Sequence, residues 1–233
     1  MAKVDLPRRA QNGRDRRARS RKQLVEAARA LFSVLPLESV TVQEVASAAG
    51  LAKGTFYAHF QSLDELWAAL AKDLARELAQ SLEPVTSRRA DPLERIAIGC
   101  AVFIERAFGD PAWGALAARG MWIFPDVSGA ARGRFAEDLN EAARQGRLST
   151  LSPEVGFDLV VGSVSQAMRS ASEGKLASSE ASSIVAGIIR SLGAPAEQAD
   201  RITAKLALSP PEGAARDASN TDVGKDISNP SEA

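Results

Sequence analysis

One cysteine, one histidine and one tyrosine occur in 233 residues, and aromatic side chains make up only 5%. A single thiol, Cys100, excludes an intramolecular disulfide framework and a cysteine-rich zinc centre. A single imidazole, His59, cannot supply a multi-histidine metal site. No run of about eighteen apolar residues is present, so no membrane-spanning helix is expected. The N-terminus carries arginines where a secretory leader would carry an apolar core. The glycine-rich phosphate loops GxGxxG and the Walker motif are missing, as are HExxH and GxSxG. Cys100 and His59 lie too far apart in sequence to suggest a catalytic dyad. These absences point to a cytoplasmic protein with no catalytic residues, no metal and no cofactor. What is present favours helices: alanine is abundant, apolar residues reach 45% and charged residues 25%, while alternating Val, Ile and Thr runs are sparse.

The formal net charge is zero, yet it is unevenly spread. Residues 1–60 hold eleven Lys/Arg against five Asp/Glu, a net +6 that the remaining residues balance. A basic end on an acidic body is the footprint of a polyanion-binding segment, although terminal charge runs are also often merely solvated. Residues 1–15 contain Pro7, Gly13 and no apolar period, and read as a flexible basic arm. From Arg16 onward Leu24, Ala27, Ala28, Leu31 and Phe32 form one stripe of an amphipathic helix that Pro36 ends. In TVQE, Thr41 can cap a short helix while Glu44, three residues on, completes a capping box. Gly50 sits where a helix C-terminus needs positive φ, and Lys53 to Phe60 read as a second short helix. Two short helices about a glycine turn make a helix-turn-helix, residues 16–61.

Ser62 and Glu65 open a longer helix with the stripe Leu63, Leu66, Trp67, Leu70, Leu74, Leu78, expected to stop before Pro84. Residues 62–208 continue as helices. The segment after Pro92 is apolar nearly all round and so belongs in a core. Ser128 is a candidate cap for a helix that closes at Gly146, Ser152-Pro153 opens another, and Ala181 to Leu192 is a strong stripe ended by Gly193. Pro195 begins a last helix through Leu208. Residues 209–233 are rich in Ser, Pro, Gly, Asn and acids and read as a disordered tail.

The segment VTVQEVASAAGLAKGTFYAHFQSLDEL, residues 40–66, together with LVEAARALF before it, resembles the DNA-binding signature of the tetracycline-repressor (TetR/AcrR) family. Its core, GLAKGTFYAHF, joins the helix-turn-helix spacing to Lys-Gly-Thr and a Tyr-x-His-Phe ending. The resemblance implies an all-α fold: a three-helix DNA-binding domain joined by a long helix to a helical-bundle domain for ligand binding and dimerisation. It implies double-stranded DNA as a partner, a homodimer on a palindromic operator, repression, and release by a small-molecule effector. Thr41, Lys53, Gly54, Thr55, Tyr57 and His59 are the implied DNA contacts. Physically, Thr41 can cap its helix and give its hydroxyl to a phosphate; Lys53 can meet a phosphate or a guanine edge; Gly54 lets backbones approach. Taken alone, His59 beside two aromatics reads as a packing residue, and the motif makes contact an equal alternative; Phe56 and Phe60 read as core. Gln61 departs from the family, which commonly has lysine after the Phe, and costs one charge-assisted contact.

The family pairs through late helices, which nominates Val164, Ile184, Val185, Ile188 and Ile189 for the dimer interface; the same stripes would also serve a monomer's core. Trp67, Phe103, Trp113, Met121, Trp122, Phe124, Phe135 and Met168 are candidate pocket residues, each equally able to be ordinary core. Few charges fall among them, so a mostly apolar effector is expected. Two rival functions remain at this level: a non-specific duplex-DNA coat acting through the basic arm, and an enzyme in the C-terminal domain.

Overall fold

The computed structural model describes residues 6–123, 125–148 and 151–206. Among them are ten α-helices, two single-turn 3-10 segments and no strand. The tail assigned to residues 209–233 lies outside the described residues, as do residues 1–5 of the arm.

Helix α1, Leu6–Val34, is longer than expected. Residues 6–15, read as flexible for want of an apolar stripe, form its first turns. A helix needs no buried face where good helix formers are linked along its surface. Here Gln11 donates to Asp15 at 3.0 Å and Arg14 donates to Gln11 at 2.7 Å. The other half of α1 turns Leu24, Ala28 and Phe32 inward, all fully buried. Against it pack α2, Val42–Ala48, and α3, Lys53–Tyr57. The Thr41 capping box forms as the sequence indicates, and Gly50 turns the chain with φ 66°. Helical hydrogen bonding fades after Tyr57, so α3 is shorter than the segment to Phe60, but the amides of His59 and Phe60 still donate to the Phe56 carbonyl. Val45, Phe56 and Phe60 complete the small core of this head.

The long helix α4, Leu63–Thr86, starts at Ser62, whose hydroxyl accepts from the Glu65 amide. The reciprocal arm of the box is displaced by one residue, because the Glu65 carboxylate accepts from the amide of Gln61. Contrary to expectation, α4 does not stop before Pro84 but carries it inside. Proline removes one N–H, and the turn holds through the Thr86 hydroxyl donating to Leu82 and the Ser87 amide donating to Glu83.

The body continues with α5, Pro92–Gly109; α6, Pro111–Ile123; α7, Pro125–Arg144; α8, Pro153–Ser172; α9, Ala181–Ser191; and α10, Ala196–Lys205. Helices α5 to α8 each begin on a proline, which is preorganised for the first helical position and has no N–H to leave unsatisfied there. This moves the start of α7 ahead of Ser128, which lies inside the helix instead of capping it. Helix α10 is also shorter than the reading to Leu208. Helix α5 is the axis of the body, packed against α4, α6, α7, α8, α9 and α10, which accounts for apolar residues around so much of its circumference.

Two joints fasten the head to the body. Glu77 of α4 pairs with Arg29 of α1 and Arg106 of α5, and accepts from the Trp113 indole at 3.2 Å. Burial pushes its carboxyl pKa up, but the two guanidiniums and the indole outweigh that and hold it low. Arg119 of α6 donates to the carbonyls of Phe32 and Leu35 at 2.9 and 2.7 Å, capping the C-terminal end of α1.

A third polar joint lies at the far end of the body. Asp91 caps α5 through the Leu93 amide and takes a two-pronged contact from Arg147 at 2.6 and 2.9 Å. Burial raises its pKa, but Arg147 and the capping amides prevail and hold it below 3.8. Ionised Asp91 therefore adds stability above the ordinary aspartate pKa, and that contribution disappears as pH falls through the lower folded value. Asp91→Asn is expected to lower the thermal midpoint at neutral pH, with the gap to wild type closing below about pH 4. A gap that stays constant down to pH 2 would refute the ionic account.

Candidate nucleic-acid interface and effector cavity

Helix α3 presents Lys53, Gly54 and Tyr57 to solvent, with Tyr57 53% exposed, while Thr55 and His59 are half-buried. Phe56, between them, is fully buried and anchors the helix, edge-on to Tyr57 with ring centroids 5.5 Å apart. A Cβ added at Gly54 would meet nothing within 4 Å. No packing inside the chain therefore calls for glycine there, and the open backbone faces outward.

Thr41 is more committed than its sequence suggests. Its oxygen accepts from the Glu44 amide at 3.2 Å, and its hydroxyl donates to the Glu44 carboxylate at 2.8 Å. That bond and one from the Thr41 amide hold the Glu44 pKa low. A hydroxyl has one proton, so capping and donation to a phosphate compete here. His59 is likewise engaged: its Nε2 lies 2.7 Å from the Ser20 hydroxyl of α1. Burial, then the charges of Arg17 and Arg21, lower its pKa and favour the neutral ring. Arg17 also donates to the Ala58 carbonyl at 3.2 Å, and Arg21 lies over the Phe60 ring. The end of α3 and the residues just after it are thus tied to the arginine-rich half of α1.

The body contains a cavity of about 550 Å³ between α4, α5, α7 and α8, with Met121 of α6 on its wall. Its lining on α4 runs from Ala75 to Ser87, about 18 Å at helical rise, so it is a slot. Leu78, Ile96, Phe103, Phe157 and Val160 make it apolar, whereas Glu83, Arg95, Arg134, Glu137 and Asp138 give it a charged end. Arg95 is already held by Asp138, Glu141 and the carbonyls of Arg89 and Ala90. For Asp138, burial outweighs Arg95 and raises the pKa. Cys100 lies on the wall with its thiol pushed up to about 12 by burial, so it is no nucleophile at neutral pH.

Of the pocket candidates, Phe103, Met121 and Phe135 line this slot together. Trp67 instead packs on Phe32 at 5.6 Å, at the joint of head and body. Trp113 lies under Arg106, 3.9 Å away, and Met168 is fully buried core. Trp122 is 67% exposed, and Phe124 lies outside the described residues. The charged end was not anticipated. Its signal was Arg134, Asp138 and Glu141 at helical spacing along the flank of the Phe135, Leu139 and Ala142 stripe.

The interface candidates are placed inside the subunit. Val164 lines the slot, Val185 and Ile189 are fully buried, Ile188 is 3% exposed, and Ile184 is half-buried against the core. Such strong stripes face their own subunit's core, and of the five only Ile184 keeps part of its side chain exposed. Exposed apolar residues of the body include Val155 and Leu159 of α8 and Trp122 and Ile123 of α6, with the Trp122 ring beside Gly162; Val34 at the end of α1 is exposed as well.

The architecture is a helix-turn-helix head on a helical body that holds a cavity. Residues 24–70 match the family described as bacterial regulatory proteins, tetR family, and the chain carries that family's N-terminal domain. The HTH-type transcriptional repressor KstR2 of Mycobacterium tuberculosis, in strains CDC 1551 and H37Rv, is 33% identical over 76 residues, 33% of this chain. The match spans 38% of the length of those relatives. Solved structures share the whole fold at low identity. RolR in complex with resorcinol has a TM-score of 0.60 at 22% identity, over 82% of this chain and 96% of that one. Bacillus subtilis FadR in complex with stearoyl-CoA gives 0.61 at 14%, over 72% and 97%. A gamma-butyrolactone receptor (ArpA-like protein) gives 0.61 at 19%, over 82% and 97%.

Proposed function

We propose that this chain is a sequence-specific transcriptional repressor that binds a palindromic operator as a homodimer and is released by a small effector in the body cavity. The observation carrying this reading is the exposed Lys53, Gly54 and Tyr57 surface of a preformed recognition helix, on a head fastened to a cavity-bearing body. One such helix reads only a few base pairs, so useful specificity needs two related by symmetry. The outward face of α8, with Val155, Leu159 and the adjoining Trp122, is the surface for the second copy. A charge-driven DNA coat would have no use for Lys53, Gly54 and Tyr57 held clear of the head's own packing.

The slot favours an elongated, amphipathic effector: an apolar body along Phe103 and Phe157 and a polar end at Arg134, Glu137 and Glu83. That refines the mostly apolar ligand expected from sequence. Resorcinol and stearoyl-CoA in two proteins of the same fold support an occupied body cavity. Met121, on the slot wall, stands two residues from Arg119, which grips α1. An effector that displaces α6 therefore acts on the head directly, provided it prefers one of two head spacings.

The test is selection of binding sites from a random duplex library at one fixed, near-physiological salt concentration. A recovered inverted repeat supports the dimeric reader. Enrichment without a motif would replace it by a charge-driven coat, and no retained DNA would sink the proposal.

A further inference from the structure

A cleft of about 290 Å³ lies between the arginine-rich half of α1 and the end of the recognition helix, lined by Gly13, Arg16, Arg17, Ser20, Ala58 and His59. We propose that it is a cradle for one backbone phosphate of duplex DNA, which makes the N-terminal half of α1 a second, sequence-neutral DNA-contacting element. The proposal rests on the DNA-binding reading above and deepens it.

Three observations carry it. The first is a crowding of unpaired arginines. Arg29, Arg76, Arg89, Arg95, Arg106, Arg132, Arg147 and Arg190 each form an ion pair with an acid. Arg88, Arg119, Arg134, Arg144, Arg169 and Arg201 do not, but they stand well apart from one another in sequence, whereas Arg16, Arg17, Arg19 and Arg21 fall within two turns of α1 with no acidic partner among the described residues. Unpaired cations crowded on one helix repel each other, and an anion from outside relieves that repulsion. Arg17 gives one Nη2 donor to the Ala58 carbonyl, which orients its guanidinium beside the cleft and leaves further N–H donors free. Guanidinium forks match phosphate oxygens in geometry as well as charge.

The second observation concerns the clamp between the walls. The Ser20 oxygen lies 3.2 and 3.1 Å from the α1 carbonyls of Arg16 and Arg17, and 2.7 Å from His59 Nε2. When the one hydroxyl proton goes to α1, the oxygen accepts from Nε2–H. His59 is then a positioning residue that sets the spacing between α1 and α3, a different role from the direct phosphate contact its motif implies. The third is the shape of the rim. A Cβ on Gly13 would meet nothing within 4 Å, so the wall is low where a sugar-phosphate chain would pass, on the same head that carries Tyr57.

Phosphate contacts hold a protein in register and add affinity without reading sequence. The full-length Arg16→Gln/Arg17→Gln protein is therefore expected to bind the selected operator and a scrambled duplex more weakly by a similar factor, about 10-fold or more. Its slope of log K against log salt should fall by about 1 per cradle, with the selected motif unchanged. Both side chains are exposed, and an unchanged thermal midpoint confirms the fold.

The decisive comparison uses operators with single methylphosphonate linkages. At one position per half-site the neutral linkage should weaken wild type and leave the double variant unaffected. If no position behaves this way while wild type still binds the operator, the cradle is refuted and the DNA-binding reading stands. If wild type binds no duplex, the broader reading fails with it. Inorganic phosphate at constant ionic strength separates the remaining source. Phosphate should displace DNA from wild type beyond the effect of chloride, an excess lost in the double variant; phosphate that binds at Arg16 and Arg17 without weakening DNA binding would mark a free-anion site and overturn the assignment to the DNA backbone.

Discussion

Replacing Lys53 and Tyr57 together by alanine is expected to lower operator affinity about 1,000-fold while leaving the protein folded. Each side chain is exposed on α3. Charged and hydrogen-bonding contacts of this kind are worth about 1–3 kcal/mol apiece. Two residues in each of two subunits make four contacts, and even about 1 kcal/mol each multiplies to about 1,000-fold. The fold should tolerate the change, since surface truncations away from caps and cores usually stay within about 0.5 kcal/mol. Tyr57 does lie edge-on to Phe56, yet Phe56 keeps its place in the head core without it. Binding isotherms at fixed salt, beside a thermal melt, separate the two effects. An unchanged affinity would mean that α3 does not read the operator, whatever else the chain binds.

The second large effect concerns the body. Gly114→Ala is expected to destabilise the protein by about 1–2 kcal/mol net, and Gly114→Val to prevent accumulation of soluble protein. A Cβ at Gly114 would stand 2.6 Å from Ala107 Cβ and 3.0 Å from its Cα, and would also collide with the Ser172 hydroxyl. A serine side chain can rotate away. Ala107 cannot, because its Cβ is its whole side chain and it is fully buried. The added carbon therefore forces α5 and α6 apart at their closest approach. Overpacking of this kind costs about 1–3 kcal/mol and occasionally more, against a helix-propensity gain of about 1 kcal/mol from removing glycine. At this chain length each kcal/mol moves the thermal midpoint by about 2–4 °C. Gly54→Ala is the internal control: with no neighbour near the new Cβ, it should not lower the midpoint. A Gly114→Ala protein that melts with wild type would show that the α5–α6 contact yields easily.

The head was more legible in the sequence than the body, and the reason is local. Thr41 with Glu44, Ser62 and Gly50 all act within four residues, through caps and a turn that a sequence window can hold. In the body, long-range packing decides. Pro84 looked like a stop, but the turn around it recovers its hydrogen bonds from Thr86 and Ser87. Ser128 looked like a cap, but α7 already begins at Pro125. The arginine-rich start of α1 lacks an apolar stripe, and that, with Pro7 and Gly13, made it resemble a flexible arm.

The site divides in the same way. The exposure of Lys53, Gly54 and Tyr57 was readable because a short helix anchored by Phe56 displays its other residues in sequence order. The slot was half readable: its aromatic wall follows from apolar stripes, whereas its charged end depends on which flanks α5 and α7 turn toward each other. The proposed interface residues illustrate the opposite trap. Val185 and Ile189 lie on a near-ideal stripe because the subunit's own core selects for one, while the outward Val155 and Leu159 are too few to form a visible period.

The grip of Arg119 on the carbonyls of Phe32 and Leu35 also bears on how the protein is made. A helix normally closes with residues next to it in the chain, but here the closing side chain is supplied more than eighty positions later. During synthesis the head emerges long before that arginine, with its first helix open at one end, and it is completed only when α6 follows. A fragment severed before α6 would hold Lys53, Gly54 and Tyr57 yet lack the bolt that closes the helix behind them. Completion of the head is thereby tied to the very segment that carries the cavity wall.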